Sequence, residues 1–270
     1  MTPRPQLWVF AGPNGAGKST LADRFVRGRI PIVNPDNIAR ELPRTADGGL
    51  AELAAGKLAL KERDARLRAR ETFAFETTLS GGTELKAMRD ATAAGYKVNL
   101  VYVGVSDPAI SMARVSERVR RGGHDVDDRA VARRYAASLR QLPEAMALAD
   151  RTFVFDNGGR RHRLLLVRDD ERVRLASALP QWARSAIPSE LRRDPLEAER
   201  ADRQMAMIEK VASRTLAGLP DARKRVVDEG SATLQERLDQ GKPINPTSPS
   251  DRNPTAPSRA PFKPKKDRKR

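Results

Sequence analysis

The chain contains no cysteine and only two histidines, His124 and His162. The absence of cysteine excludes disulfide scaffolds, thiol nucleophiles and thiolate sites for zinc or iron–sulfur clusters. Two imidazoles are too few for a histidine-rich metal site. Long apolar runs are also missing, since no stretch approaches the roughly 20 residues of a membrane-spanning helix, and Leu7–Ala11 is too short for a signal-peptide core. We therefore expect a cytoplasmic protein.

Apolar residues are scarce overall, and the shortage is greatest at the carboxyl end. Hydrophobic residues make up 39% of the 270 residues, against roughly 45–50% in typical globular domains. Residues 241–270 hold seven of the 19 prolines and nine Lys or Arg against two Asp, so they carry +7 of the formal net charge of +16. Such a segment cannot bury enough apolar surface to offset the entropy of ordering. We predict a disordered, basic, proline-rich tail.

The basic tail is compatible with several functions. Its charge can keep the protein soluble, bind nucleic acid or an anionic membrane, or form an export signal for a secretion machinery. Its composition does not separate these interpretations. The last residues are Lys263-Pro264-Lys265-Lys266-Asp267-Arg268-Lys269-Arg270.

Ahead of the tail, predicted strands alternate with predicted helices. This alternation, with short loops, predicts an α/β fold in which helices cover both faces of a parallel sheet. The expected strands are Leu7–Ala11, Ile30–Val33, a strand that begins at Phe73, Lys97–Val105 and Thr152–Phe155. The expected helices are approximately Gly17–Arg27, Gly49–Arg70, Thr83–Ala94, Pro108–Arg121 with Asp107 as its cap, and Asp128–Leu142.

The pattern changes after residue 160. Arg163–Arg168 and Arg172–Ala176 predict a small hairpin, and residues 189–239 predict charged helices with a break at Gly218-Leu219-Pro220. We therefore divide the chain into an α/β core (1–160), a hairpin extension (161–187), a charged helical extension (188–240) and the basic tail (241–270).

The first predicted strand leads into a glycine-rich loop. The loop matches the pattern G-x-x-x-x-G-K-[ST] and is followed by Thr20, reading Gly12-Pro13-Asn14-Gly15-Ala16-Gly17-Lys18-Ser19. Glycines let successive backbone N–H groups point at phosphate oxygens, and the positive end of the next helix faces the same anion. Lys18 supplies a charge for the β- and γ-phosphates, and the Ser19 hydroxyl can bind Mg²⁺. The sequence therefore predicts a nucleoside triphosphate site with magnesium.

Two acids follow the next predicted strands. Asp36 lies just past the second strand, and Glu76 ends the third, two residues before Thr78. Because the carboxyl ends of parallel strands share one edge, we expect both acids near the γ-phosphate. Asp36 can accept a proton from an attacking hydroxyl, while Glu76 and Thr78 can hold the acceptor or magnesium. The alternative is that Asp36 only caps a helix and Glu76 is a surface residue.

Neither of two other phosphate-loop classes fits the sequence. A GTPase would carry an Asn-Lys-x-Asp type guanine motif, which the sequence lacks. A motor ATPase usually has an apolar strand that ends in Asp or Asp-Glu, and none of the expected strands is assigned such an end. The acids at two other strand ends favour a kinase.

Arginines form the third element of the predicted site. Two helices joined by the glycine turn Gly122-Gly123-His124 carry them, which suits a lid that closes over a transferring phosphate. The alternative is a solvated basic face, and His124 is either a phosphate contact or a structural turn residue. The first helix carries Arg114, Arg118 and Arg121 on one face, and the second carries Arg129, Arg133 and Arg134.

In this order and spacing, the motifs resemble those of the zeta toxin family over residues 6–157. The matching segments are Ala11-Gly12-Pro13-Asn14-Gly15-Ala16-Gly17-Lys18-Ser19-Thr20, Asn34-Pro35-Asp36, Phe75-Glu76-Thr77-Thr78-Leu79-Ser80-Gly81, Arg114-Val115 through Arg118-Val119-Arg120-Arg121-Gly122-Gly123-His124, and Arg133-Arg134-Tyr135. The family consists of P-loop kinases, and its characterised toxins phosphorylate the 3′-hydroxyl of the amino sugar in UDP-N-acetylglucosamine. The resemblance thus implies a P-loop kinase core over residues 1–160.

The resemblance also implies a role for each matching residue. Lys18 and Ser19 would bind ATP–Mg²⁺, and Asp36 would be the base toward the sugar hydroxyl. Glu76 and Thr78 would bind the acceptor, and the lid arginines would be Arg118 and one of Arg133 and Arg134. An antitoxin partner is implied by the resemblance alone.

Three functions stay open at this point. The first is a kinase that acts on a nucleotide sugar, and the second is a kinase of the same fold with another small-molecule or polynucleotide acceptor. The third is a nucleic-acid-binding or exported interaction protein whose nucleotide site is regulatory. The basic tail favours the third, whereas the acids and the arginine lid favour the first two.

Overall fold

The computed structural model describes residues 4–26, 28–42, 48–121, 126–169, 172–176, 178–192, 195–239, 242 and 244. His124 and the greater part of the predicted tail lie outside these ranges. The chain divides into two compact units, Met1–Leu191 and Arg192–Arg270. None of the helices among the described residues is long and apolar enough to cross a membrane.

A mostly parallel sheet forms the centre of the first unit. Within the described residues its strands are β1 (Gln6–Ala11), β2 (Ile32–Val33), β3 (Phe73–Thr77), β4 (Lys97–Gly104), β5 (Arg151–Asp156), β6 (Arg163–Asp169) and β7 (Arg172–Leu175). Their order across the sheet is β2-β3-β1-β4-β5-β6-β7. Strands β1 to β5 are parallel, and the predicted hairpin of β6 and β7 extends the sheet in antiparallel fashion.

Helices follow the strands in alternation. The described residues form α1 (Lys18–Val26), α2 (Pro35–Glu41), α3 (Gly48–Arg68), α4 (Gly82–Ala93), α5 (Pro108–Arg120), α6 (Asp128–Leu148), α7 (Gln181–Ala186), α8 (Ser189–Arg192), α9 (Pro195–Thr215) and α10 (Pro220–Asp239). Helices α9 and α10 of the second unit have a small core of their own, made of Ala201, Leu234, Leu238 and Ile244.

Two apolar cores flank the sheet, because successive side chains of a strand point to opposite faces. Leu7 of β1 packs in the core that includes Leu142 of α6. Phe10 of β1 packs in the other core, together with Leu21 of α1. The predicted α/β fold with helices on both faces is confirmed, and the predicted hairpin forms two antiparallel strands of the sheet. The expectation that no strand ends in Asp was wrong, because β5 ends at Asp156, whose carboxylate accepts a hydrogen bond from Trp182 Nε1.

One helix end was predicted wrongly. The expected helix runs from Asp128 to about Leu142, just before Pro143, a residue that lacks an N–H and disrupts a helix interior. The helix instead continues to Leu148. Leu142, Ala145 and Met146 are all buried, so core packing outweighs the backbone hydrogen bond that Pro143 cannot make.

The strand register places the ends of β1, β2 and β3 at one edge. Ala11 lies opposite Thr77 in the β1–β3 pair, and Val33 lies opposite Phe75 in the β2–β3 pair. The phosphate loop, α2 and the segment after β3 therefore leave the sheet at this same edge. This placement brings Asp36 and Glu76 to the edge where the sequence expects them.

Candidate active site

The phosphate loop passes very close to the neighbouring strand β4. Gly12 has a φ of 138°, and a Cβ atom added to it would stand 2.1 Å from the backbone oxygen of Val103. Only glycine fits both the conformation and the space. Gly15 and Gly17 also have positive φ values, 68° and 92°. The chain can therefore curl at these positions as the predicted anion cradle requires.

Lys18 lies in the first turn of α1 and folds back over the loop. Its Nζ donates a hydrogen bond to the carbonyl oxygen of Pro13, at 2.9 Å. Burial lowers the pKa of Lys18 to about 8, although the negative charges of Glu76 and Asp36 oppose this shift. The lysine therefore still carries its charge at neutral pH.

The side chains of Ser19 and Glu76 are hydrogen-bonded to each other. The Ser19 hydroxyl donates a hydrogen bond to Oε2 of Glu76, at 2.7 Å. Burial raises the pKa of Glu76, and the nearby charge of Asp36 raises it further, whereas hydrogen bonds with Ser19 and Asn34 and the charge of Lys18 lower it. Hydroxyl and carboxylate oxygens are the ligands that Mg²⁺ prefers, so this donor pair fits the predicted metal.

Asn34 connects the two acids. It is buried, with 7% of its surface exposed, and its Oδ1 accepts a hydrogen bond from the backbone N–H of Asp36, at 2.8 Å. This contact caps the first turn of α2, and the Asn34 side chain also hydrogen-bonds Glu76. The sequence predicts that Asn34-Pro35-Asp36 closes β2, but it does not reveal this second role of Asn34.

Asp36 meets one of the predicted lid arginines. Its Oδ2 lies 3.4 Å from a terminal nitrogen of Arg118. Both side chains are substantially exposed, 57% for Asp36 and 40% for Arg118, so solvent screens the pair. Asp36 is thus not a helix cap through its side chain, since Asn34 supplies the cap, and its carboxylate is available at the open side of the site.

The structure distinguishes the two adjacent arginines of α6. Arg134 is half-buried, and its positive charge lowers the pKa of Lys18, as does that of Arg118. Arg133 is exposed. The arrangement therefore favours Arg134 over Arg133 as the second arginine of the site.

The remaining predicted residues lie around this centre. The Thr78 hydroxyl follows β3 and is 2.8 Å from the Ser80 hydroxyl, while Thr20 is exposed in the first turn of α1. Pro13 and Ala16 are buried in the loop, and Asn14 is half-buried.

The outer side of the phosphate loop contacts residues that the sequence did not single out for this role. Asn157 Nδ2 donates to the carbonyl oxygen of Ala16, at 2.9 Å, and Arg114 donates to that of Gly15, at 3.4 Å. A Cβ atom on Gly17 would stand 2.9 Å from Nε2 of His162. Burial lowers the pKa of His162, against a hydrogen bond with the Gly17 backbone that raises it.

Comparisons with known proteins match a domain family and a bacterial relative. The AAA domain family matches residues 7–142, a range that lies within the stretch resembling zeta toxins. An uncharacterized protein of Haemophilus influenzae is 34% identical over 140 residues, which are 49% of this chain and 99% of the relative.

Solved structures share the fold at low sequence identity. The complex of AvrRxo1-ORF1 and AvrRxo1-ORF2 with sulphate ions is 14% identical, with a TM-score of 0.57 over 88% of this chain and 81% of that chain. The same complex with ATP is 15% identical, with a TM-score of 0.56 over 88% of this chain and 82% of that chain. The PezAT toxin–antitoxin system of Streptococcus pneumoniae is 18% identical, with a TM-score of 0.45 over 57% and 68%. Because the domain match spans half of its residues, the chain belongs to the AAA domain family.

Proposed function

We propose that the chain is an ATP-dependent phosphotransferase that transfers the γ-phosphate to a hydroxyl of a nucleotide sugar, with UDP-N-acetylglucosamine as the substrate. The observation that carries the proposal is the meeting of Asp36 and Arg118 at the edge that holds Lys18 and the phosphate loop. A protein that only binds nucleotide needs neither an acid at the open side nor arginines beside the phosphate lysine. The similarity to the complex of AvrRxo1-ORF1 and AvrRxo1-ORF2 with ATP supports the choice of nucleotide.

Each side chain has a task in this reaction. The loop N–H groups and Lys18 bind the β- and γ-phosphates. Asp36 takes the proton of the acceptor hydroxyl while the hydroxyl oxygen forms a bond to the γ-phosphorus. The bond from that phosphorus to the β–γ bridging oxygen breaks, and ADP leaves. Arg118 and Arg134 neutralise negative charge on the transferring group.

Ser19 and Glu76 are the residues that would hold Mg²⁺. When bound, the ion would neutralise negative charge on the phosphates during the transfer. Glu76 has a raised pKa because it is buried, and a cation beside it would favour its ionised form. Thr78 remains the proposed contact to the acceptor.

The zeta toxin resemblance also leads us to propose an antitoxin as a protein partner. The AvrRxo1 neighbour is a complex of two proteins, in line with such pairing. The cytoplasmic location, and the role of the basic tail in solubility, nucleic-acid binding or export, stay predictions because residues 245–270 lie outside the described part of the chain.

The test measures ATP consumption by the full chain with and without UDP-N-acetylglucosamine, and identifies the products by mass spectrometry. We expect a sugar nucleotide that is heavier by one phosphoryl group. Asp36→Asn should reduce kcat by about 10²- to 10⁴-fold with little change in ATP affinity. The substitution keeps the helix cap, because the cap uses the backbone N–H of Asp36.

Asp90→Asn is the matched control. Asp90 is an exposed acid paired with Lys86 on α4, and its loss should leave turnover unchanged. ATP turnover without a phosphorylated sugar would disprove UDP-N-acetylglucosamine as the acceptor. The search would then turn to other small molecules or polynucleotide ends. Full turnover in Asp36→Asn would disprove the role of Asp36 as the base.

A further inference from the structure

The phosphate loop works as an anion site only if its N–H groups face inward. In a trans peptide the C=O and the following N–H point in opposite directions. A donor that holds a carbonyl on the outer side of the loop therefore directs the next N–H toward the inner side. Such a donor fixes the loop without touching the bound phosphate.

Asn157 is placed as such a donor. It follows β5, is 141 residues from Ala16 in the sequence, and its Nδ2 lies 2.9 Å from the Ala16 carbonyl oxygen. Its own backbone N–H donates to the carbonyl oxygen of Gly104 at the end of β4, at 2.8 Å. The backbone of Asn157 is thus hydrogen-bonded to the sheet, which fixes the position of its side-chain amide.

The fit around Asn157 is close. A Cβ atom on Gly17 would stand 2.6 Å from Asn157 Nδ2, so the Ala16–Gly17 peptide lies directly against the amide. Arg114 of α5 holds the preceding carbonyl, that of Gly15, at 3.4 Å. Two successive carbonyls are therefore held from the outer side by donors from two different elements.

We propose that Asn157 is a positioning residue of the phosphate site: its amide holds the Ala16 carbonyl outward, so that the Gly17 N–H points at the bound phosphate. This inference rests on the proposed nucleotide site and deepens it. It predicts that Asn157 acts on every ligand that places a phosphate in the loop, whether or not the ligand carries a nucleoside. It also predicts that Asn157 acts on ground-state binding more than on the transfer step.

The experiment measures Kd values of the full chain for three probes: Mg²⁺–ATP, Mg²⁺–ADP and inorganic pyrophosphate with Mg²⁺. In Asn157→Ala we expect the Kd of all three to rise by about five- to tenfold, the effect of one lost hydrogen bond to a neutral acceptor. Asn157→Asp keeps the size but replaces the donor by an acceptor, and should raise all three further. Turnover should show a higher KM for ATP and a kcat within about threefold of the wild type.

Asn37→Asp is the control for added negative charge, since Asn37 is exposed on α2 and its side-chain oxygen accepts a hydrogen bond from Arg40 rather than from the phosphate loop. It should change the three Kd values by less than twofold. Asn157→Leu is a second variant without a side-chain donor, and its side chain is close to asparagine in size; it is to be used if Asn157→Ala does not fold.

Two results would overturn the inference while leaving the kinase proposal intact. One is unchanged affinity for all three probes in a folded Asn157 variant. The other is a loss for ATP and ADP with pyrophosphate unaffected, which would make Asn157 a nucleoside contact. If the wild type binds none of the three probes, the proposed function fails and this inference fails with it.

Discussion

The two sides of the candidate site are built in different ways. On the phosphate side, buried backbone is held by short contacts, such as the passage of Gly12 over Val103 and the hydrogen bond from Asn157 to Ala16. On the acceptor side, the exposed side chains of Asp36 and Arg118 meet at 3.4 Å. A triphosphate is the same in every nucleotide and suits a fixed cradle, whereas an acceptor needs room to enter. In the proposed reaction, this difference corresponds to a closely packed donor site beside a solvent-exposed acceptor site.

The largest expected effect removes the charge on the phosphate side. Lys18→Met should reduce kcat by about 10³-fold, because a preorganised charge at the transferring phosphate is lost. The same variant should weaken ATP binding, whereas Asp36→Asn should not. Stopped-flow or coupled-assay kinetics with parallel ATP titrations would test the contrast. A Lys18→Met enzyme with wild-type kcat would contradict the assignment of the cradle.

The next effect separates two neighbouring arginines. Arg134→Ala should lower kcat by about 10²-fold, because its charge acts beside Lys18. Arg133→Ala is the matched control and should leave kcat within twofold, since Arg133 is exposed. Steady-state kinetics of the two variants would decide the point. The reverse order of effects would place Arg133, not Arg134, at the phosphate.

A third effect tests how closely the loop is packed. Gly12→Ala forces a Cβ against the Val103 oxygen and should lower the free energy of unfolding by about 3 kcal/mol. Gly28→Ala is the control, because Gly28 also has a positive φ, 72°, with no atom within 4 Å of an added Cβ; it should lower the unfolding free energy by about 1 kcal/mol. Urea unfolding measures both. Equal losses would show that conformation alone, without crowding, requires glycine at position 12.

The smallest effect is a dependence on pH. Because the pKa of Lys18 is about 8 when no phosphate is bound, ATP affinity should be constant below that pH. Above it, the Kd should rise by up to tenfold per pH unit, as the lysine must first take up a proton. Calorimetry in two buffers of different ionisation enthalpy would detect this uptake near pH 8.5. Lys18→Arg should abolish it, since arginine stays charged.

The effect of Lys18 on the free energy of unfolding has the opposite dependence on pH. Lys18 has a lower pKa in the folded protein than its ordinary value of 10.5, so between about pH 8 and 10.5 the unfolded chain binds more protons. The contribution of Lys18 to the free energy of unfolding therefore rises with pH in this window. Nucleotide binding and stability thus respond to pH in opposite directions through the same residue.

The sequence predicted those features of the site that depend on local sequence patterns. The phosphate loop is one continuous segment, and the apolar strand before it and the helix after it identify it. Asp36 and Glu76 were placed at one edge because parallel strands share their carboxyl ends, and the register of β1, β2 and β3 agrees. The roles assigned to these residues remain predictions.

The contacts that sequence reasoning missed depend on tertiary packing. Asn157 reaches Ala16 across 141 residues, and no local motif marks an asparagine after a strand as a partner of a distant loop. The end of α6 was missed because the expected helix stopped at Leu142, whereas Ala145 and Met146 beyond it are buried in the core. Asn34 was recognised as part of a motif, but its contact with Glu76 exists only when two strands lie side by side.

The sequence around Asn34 also affects the resistance of the site to deamidation. Asparagine usually converts to aspartate through a cyclic imide, which forms when the nitrogen of the next residue loses its proton and attacks the side chain. Here the next residue is Pro35, whose nitrogen bears no proton, so this ring cannot close. A long-lived molecule therefore keeps the same amide between its two acids as a newly made one.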